Sequence, residues 1–250
     1  KKYFIVGILF PIFFNLYYLV PTWSVSKIDE LDLKIYFVNV LSSNDKYGLV
    51  IKDILNKKPD IIVLQEVTEA WKEELSKLSK KYPYNVVVPR EDNFGVAVYS
   101  SIEFEFHKTY LSSAGLESIL VDLAMANRNI SILTTHPLPP VSQDYWRLRN
   151  EQYDEIKDYF KEANEKKILI GDLNTVPWSS YVQEIEKDNQ IKSVNSFKDT
   201  WNTFFPPMLR IRTLFALVSN SITGEILVSD DIGSDHLPFL LKIKFNKDKL

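Results

Sequence analysis

The first pattern along the chain is a long apolar run. Tyr3 to Val20 carries no charge, and none appears between Lys2 and Lys27. As a helix this run would span ~27 Å, close to the ~30 Å of a bilayer's hydrocarbon. Pro11 and Asn15 would weaken or kink such a helix, while Tyr17, Tyr18 and Trp23 fall where an interfacial aromatic belt would lie. The run predicts a hydrophobic N-terminal helix acting as a membrane anchor over residues 1–26. A signal peptide cleaved near Ser24-Val25-Ser26 and a buried core helix are the alternatives.

After Lys27 short apolar runs alternate with helical spacing. Lys34–Val38 reads as a buried strand, and Tyr47, Val50, Ile51, Ile54 and Leu55 recur at helical intervals before Pro59. Asp60–Leu64 is the next strand, and Thr68 is placed to cap a helix carrying Trp71, Leu75 and Leu78. From Tyr84 to Leu133 the runs shorten to Asn85–Val88, Gly95–Tyr99, Ile102–Phe106, Ser118–Leu123 and Asn129–Leu133, a spacing that predicts antiparallel pairing. A helix is predicted from Ser142 to Phe160 with Tyr145, Leu148, Ile156 and Tyr159 on one face. Lys167–Ile170 is a strand, a short helix follows Pro177, and Leu214–Ser219, Glu225–Val228 and Phe239–Ile243 close the chain as strands. This order predicts an α/β fold of two packed sheets flanked by helices, occupying residues 27–250.

Composition narrows the chemistry. The 250 residues include no Cys, which excludes disulfide scaffolds, thiolate zinc sites and cysteine nucleophiles. Thirty basic residues against 33 acidic ones leave a net charge of -3, without the basic excess of a protein that coats nucleic acid.

The polar residues fall at the ends of the apolar strands. Asn39 follows Tyr36-Phe37-Val38, Gln65 and Glu66 follow Ile61–Leu64, and His136 follows Ile132–Thr135. Asp172 and Asn174 follow Ile168–Gly171, and Ser234-Asp235-His236 precedes the last strand. Any one of these is ordinarily a turn residue, a helix cap or a solvated loop group. Strand ends that converge on one edge form clefts. Carboxylates, carboxamides and imidazoles without cysteine suit a hard cation such as Mg²⁺. Three histidines, His107, His136 and His236, are few for zinc.

The ordered set Asn39, Gln65-Glu66, Thr135-His136, Gly171-Asp172-Leu173-Asn174 and Ser234-Asp235-His236 resembles the endonuclease/exonuclease/phosphatase superfamily, over roughly residues 33 to 246. Asn39–Asn44, His136–Pro140, Gly171–Trp178 and Asp231–Pro238 are similar to its membrane-anchored bacterial subgroup. The resemblance implies a four-layer α/β/β/α sandwich and metal-dependent hydrolysis of a phosphate ester, a diester before a monoester. It implies Mg²⁺, with Mn²⁺ as the alternative, held by Glu66 with Asn39, and with Asp235 bonding metal or scaffold. Asp172 would orient or deprotonate the attacking water, and Asn174 would hold a phosphate oxygen. His136 would bond phosphate or protonate the leaving oxygen, and His236 would act as base or stabilise the pentacoordinate state. Nucleic acid, a phospholipid headgroup or a small phosphate are the implied substrates, with no obligate protein partner. The domain is expected outside a bacterial inner membrane: Lys1-Lys2 favour an inside amino end, and Lys27 and Lys34 weigh against it.

One position departs from that pattern. The Asp that orients the final His in many relatives aligns with Leu214, which accepts no imidazole N–H. Asp199, Asp230 and Asp231 are the candidate substitutes. The departure motivates an alternative, a catalytically impaired member that binds a phosphorylated ligand or a partner. Elsewhere, Asn93-Phe94-Gly95 falls where relatives of that family often place a substrate-side loop, with a plain turn as the reading preferred, and Arg147 and Arg149 could meet phosphate but read first as solvated helix charges.

Overall fold

The computed structural model describes residues 27–125, 128–196 and 198–246. Two six-stranded sheets pack face to face. The first has the order β11 (Ile222–Val228), β12 (Phe239–Phe245), β1 (Leu33–Asn39), β2 (Ile61–Gln65), β4 (Val96–Ser100), β3 (Tyr84–Val88). The second has the order β5 (Phe106–Leu111), β6 (Glu117–Met125), β7 (Arg128–Thr134), β8 (Lys166–Asp172), β10 (Leu214–Ser219), β9 (Ile191–Ser193). Both sheets are mixed. β1–β2 and β7–β8 run parallel, and every other pairing is antiparallel.

Strand alternation builds the layers, because successive side chains leave a strand on opposite faces. In β1, Leu33, Ile35 and Phe37 enter the core between the sheets, where they meet Ile132, Ile170 and Ala216. Tyr36 and Val38 turn the other way, onto Val50 and Ile54 of α1 (Tyr47–Lys57) and Trp71 and Leu75 of α2 (Glu69–Leu75). The second sheet repeats the arrangement. Leu133, Leu169 and Leu217 face Tyr153 and Ile156 of α3 (Gln143–Tyr159) and Val182 and Ile185 of α4 (Ser180–Asn189). The result is the α/β/β/α sandwich. The Thr68 hydroxyl accepts from Trp71 N at 3.2 Å and caps α2 as expected, and Ser142 and Ser179 do the same for α3 and α4.

Two expectations need correction. The strand expected at Ile102–Phe106 begins at Phe106 instead and runs to Leu111. β5 is an edge strand with Phe106, His107, Thr109 and Leu111 exposed, so burial imposes no alternation on it. On α3 the buried face is Arg149, Gln152, Tyr153, Ile156 and Tyr159, while Tyr145 is exposed. Tyr145 lies in the first turn, at the mouth of a cleft described below. The expected N-terminal anchor lies outside the described residues. Among the described residues no helix is long and apolar enough to cross a membrane.

Candidate active site

Parallel pairing puts the C-terminal ends of β1 and β2 side by side, with Asn39 opposite Gln65. The same holds for β7 and β8 in the other sheet. Gln65 ties the two edges together. Its Nε2 donates to the Thr135 carbonyl at 2.7 Å, and its Oε1 accepts from Asp172 N at 2.8 Å. The sheets meet closely here. A Cβ on Gly171 would lie 2.3 Å from the Thr135 oxygen and 2.9 Å from Gln65 Nε2, so this crossing requires glycine.

Glu66 follows Gln65 in a left-handed conformation, φ 62°. Its carboxylate accepts from Asn39 Nδ2 at 2.7 Å and from Ser42 N at 3.1 Å. Burial pushes this carboxyl up to about 7; the bonds from Asn39 and Ser42 oppose that shift, and Asp235 and Asp172 add to it. Leu41, Asn93 and Asn174 also have positive φ, and all three lie in loops at this edge. Lys58 and Gln190, the remaining non-glycine cases among the described residues, are C-caps of α1 and α4. Strained backbone outside helix ends is thus confined to the site's own loops, where function commonly concentrates it.

Asp172 ends β8, buried at the floor. Its Oδ1 accepts from Asn174 N at 2.9 Å, and its Oδ2 stands 3.2 Å from His236 Nε2. His236 is held from behind: its backbone N donates to Ser234 Oγ at 3.1 Å, and that hydroxyl donates to the Asn39 carbonyl at 2.7 Å. Asp235 Oδ1 lies 4.0 Å from His236 Nε2, and Asp235 Oδ2 accepts from Trp201 Nε1 at 3.0 Å. Asn174 Nδ2 donates to the Pro137 carbonyl at 2.8 Å, leaving its second N–H available. His136 is buried against Phe94, ring centroids 5.1 Å apart. Burial lowers its pKa; Asp172, Asp235 and a bond to the Asn93 backbone pull upward, and His236 pulls down.

All eight groups picked out at the strand ends, Gln65 included, therefore meet at one edge. Asn39, Gln65, Glu66, His136, Asp172 and His236 are buried, and Asn174 and Asp235 are partly so. The expected substitutes for Leu214 do not reach His236. Asp199 faces Arg212 Nε at 3.6 Å, Asp230 is exposed, and Asp231 accepts from Gly233 N at 2.7 Å. His236 Nδ1 is buried and has no partner among the described residues. Leu214 stands opposite Asp172 in the β8–β10 ladder, packed into the core between the sheets.

Two readings of the sequence are overturned. The Asn93-Phe94-Gly95 turn is part of the site: Asn93 and Phe94 line the cleft, and Asn93 Oδ1 accepts from Ser42 Oγ. Arg90 pins this loop, bonding Asp92, the Gly115 carbonyl and Glu117. Arg149 is buried under Tyr153 and Tyr181 and donates to the Asn174 carbonyl at 3.1 Å, supporting the Asn174 turn from beneath. Arg147 is exposed and pairs with Glu151, as a solvated helix charge should.

The cleft has a volume of about 590 Å³. Glu66, Asp92, Asp172 and Asp235 line it together with both histidines. Its walls are Phe94, Pro139, Pro140, Val141, Tyr145, Val176, Trp201 and Ile211. No Lys or Arg among the described residues lines it. Sequence reasoning missed Trp201, Tyr145, Thr213 and Ile211. These residues sit at a helix start or in loops without periodicity, and only the Trp201–Ile211 backbone pairing brings two of them together.

The comparisons agree with this geometry. The Endonuclease/Exonuclease/phosphatase family model matches residues 36–236. No curated protein matches the chain by sequence. Among solved structures, Danio rerio TDP2 complexed with a single-strand DNA product is similar at 16% identity, TM-score 0.69, over 85% of this chain and 98% of that one. The human Nocturnin catalytic domain is similar at 18%, TM-score 0.69, over 90% and 98%. Sphingomyelinase C from Streptomyces griseocarneus is similar at 16%, TM-score 0.64, over 84% and 98%. At these identities the likeness is one of fold. The matched model spans every strand end that builds the site, and the chain belongs to the endonuclease/exonuclease/phosphatase family.

Proposed function

We propose that the protein is a divalent-metal-dependent phosphoesterase that hydrolyses a phosphate diester by attack of water. The carrying observation is the Asp172–His236 pair at the floor of a cleft that also holds Glu66, His136 and Asp235. The residues fit a hard cation. Glu66 is a carboxylate raised chiefly by burial, with Asp235 and Asp172 adding to the shift, and a divalent ion would offset both. Among the described residues no three carboxylate or imidazole side chains form a cage. A cation held by Glu66 with Asn39, and by Asp235 on the other side, would keep most of its waters, as Mg²⁺ does and as Mn²⁺ tolerates. When bound, such an ion polarises a phosphoryl oxygen and makes water more acidic.

The protein's own groups supply the rest. The Asp172–His236 pair takes up the proton leaving the attacking water. His136, whose pKa burial lowers, donates a hydrogen bond to a phosphoryl or leaving oxygen. The free N–H of Asn174 bonds a non-bridging oxygen as charge develops there. Arg149 fixes that asparagine through its carbonyl and acts as a positioning residue.

The apolar Tyr3–Val20 run supports a membrane tether for this domain, at a bacterial inner membrane. A second reading rests on the unpartnered His236 Nδ1 beside a family position occupied by Leu214. It is a member of impaired turnover that binds a phosphorylated ligand. The experiment that separates the two is hydrolysis of bis(p-nitrophenyl) phosphate and p-nitrophenyl phosphate by the full chain, with Mg²⁺ and with chelator. Metal-dependent turnover lost in Asp172→Ala and His236→Ala supports the enzyme. Folded protein without turnover of either substrate supports the binding module.

A further inference from the structure

The mouth of the cleft carries apolar surface that neither core explains. Trp201 and Ile211 pair through their backbones, Trp201 N to Ile211 O at 3.0 Å, and close the neck of the loop between them. Beyond that neck Phe204 is 77% exposed, Phe205 53%, Met208 89% and Leu209 64%. No charge interrupts the loop between Asn202 and Leu209. Val141, which lines the same cleft, is 77% exposed, and Trp146, in the first turn of α3, and Trp178 are exposed too.

This loop is built rather than slack. Arg210 donates from Nε to the Phe205 carbonyl at 3.1 Å and from Nη2 to the Thr203 carbonyl at 3.2 Å. Phe204 N donates to Asn202 Oδ1, Phe205 N to the Asn202 carbonyl, and Leu209 N to the Pro206 carbonyl. Pro206 and Pro207 have no N–H to satisfy. Much of the loop's backbone polarity is thus met internally, which is the condition for sinking a loop tip into an apolar medium at low cost. Arg210 lies at its base, and its guanidinium serves these loop carbonyls.

We propose that the 202–211 loop, with Val141 at the rim of the same cleft, docks on the surface of a zwitterionic phospholipid bilayer, and that the cleft takes its phosphodiester from a lipid headgroup there. The second half rests on the phosphodiesterase reading above. Two observations choose this occupant. First, Glu66, Asp92, Asp172 and Asp235 line the cleft, and no Lys or Arg among the described residues does. A polyanionic nucleic-acid backbone finds no basic side chain along it, whereas the cation of a zwitterionic headgroup meets the aromatic faces of Phe94, Tyr145 and Trp201. Second, the chain ahead of Lys27 holds the uncharged Tyr3–Val20 run, which fits a bilayer core.

The chain has no Cys, so Met208→Cys creates a unique thiol. Lys161→Cys gives a control at the other end of the sandwich, ahead of the first residue of β8. Each full-length variant carries an environment-sensitive nitrobenzoxadiazole label and is reconstituted in phosphatidylcholine vesicles. The expected result is a label at 208 quenched at least about threefold more by nitroxide lipid than the label at 161, and shielded from aqueous iodide. A label at 208 that iodide reaches as freely as at 161 overturns the proposal. Shielding from iodide without lipid quenching also overturns it, and assigns the patch to a protein surface. Turnover tests the substrate half: Phe204→Asn with Met208→Asn should lower the ratio of vesicle-phosphodiester to soluble-phosphodiester hydrolysis about tenfold, and an unchanged ratio overturns it. Absence of all turnover with lipid quenching intact would instead remove the enzyme reading and leave the docking surface standing.

Discussion

The floor and the mouth of the cleft are built on opposite rules. The floor is polar and buried, and it is assembled from the ends of β1, β2, β7 and β8, which belong to two different sheets. Gln65 binds those sheets together, Ser234 binds the His236 loop to β1, and Asn174 binds to Pro137. The mouth is apolar and exposed, and it is assembled from loops whose tips bond within themselves while the neck of the 202–211 loop bonds to Ser234 and Asp235. A floor tied to two cores holds reacting groups to the tolerance that catalysis needs. A mouth tied to the floor only at its neck, with a tip packed into neither core, is free to vary in what that tip admits. The chemistry and the choice of substrate therefore sit in separable parts of the molecule.

The comparison breaks most sharply at Asp172. Asp172→Asn keeps an oxygen for Asn174 N but removes the charge facing His236 Nε2. Metal-dependent diester turnover should fall about 10³-fold, in the range ordinary for losing a general base, with the thermal midpoint nearly unmoved. Turnover within tenfold of the parent would take Asp172 out of the proton path.

Gln65→Leu tests whether the floor is rigid because of the cross-link. The change is near-isosteric, yet it strips partners from Asp172 N and the Thr135 carbonyl. Two buried unpaired backbone groups cost about 2–6 kcal/mol, which in a chain of this size lowers the melting midpoint by roughly 4–24 °C. Turnover should fall about 10²-fold through misplacement of Asp172. A variant that melts early yet turns over normally would show that the cross-link serves the fold alone. Arg149→Met, which removes the support beneath Asn174, should be milder, about tenfold in kcat with KM little changed. An effect on KM alone would place Arg149 in substrate binding instead.

Much of the floor was legible in the sequence, and little of the mouth was. Strands such as β1 and β8 are covered on both faces, so Ile35-Tyr36-Phe37-Val38 and Ile168-Leu169-Ile170 stand out as unbroken apolar runs with a polar group at the end. The residue types at those ends name their chemistry. The bond between Gln65 and Asp172 was not legible, because it joins residues 107 positions apart through two sheets whose facing is a tertiary fact. Arg149 was misread because a charge in a helix predicts solvent, and only the Tyr153–Tyr181 pocket makes it a buried support. The edge strand β5 and the 202–211 loop bury no regular face, so they leave no period to read.

The smallest expected effect lies where floor and core meet. Leu214 faces Asp172 across the β8–β10 ladder, at a spacing of about 4.5–5.5 Å between Cβ atoms. Asp172 in turn touches His236, whose Nδ1 has no partner. Leu214→Asp places an acceptor in the neighbourhood of that nitrogen, and fixing the ring should raise kcat, by about threefold to tenfold. The same change buries a second carboxylate beside the first, so the melting midpoint should fall while turnover rises. Those opposite signs distinguish positioning from simple disruption. If kcat drops along with the midpoint, the unpartnered Nδ1 does not limit the reaction, and the aromatic face of Trp201, 6.2 Å from the imidazole, already fixes the ring as well as an acceptor would.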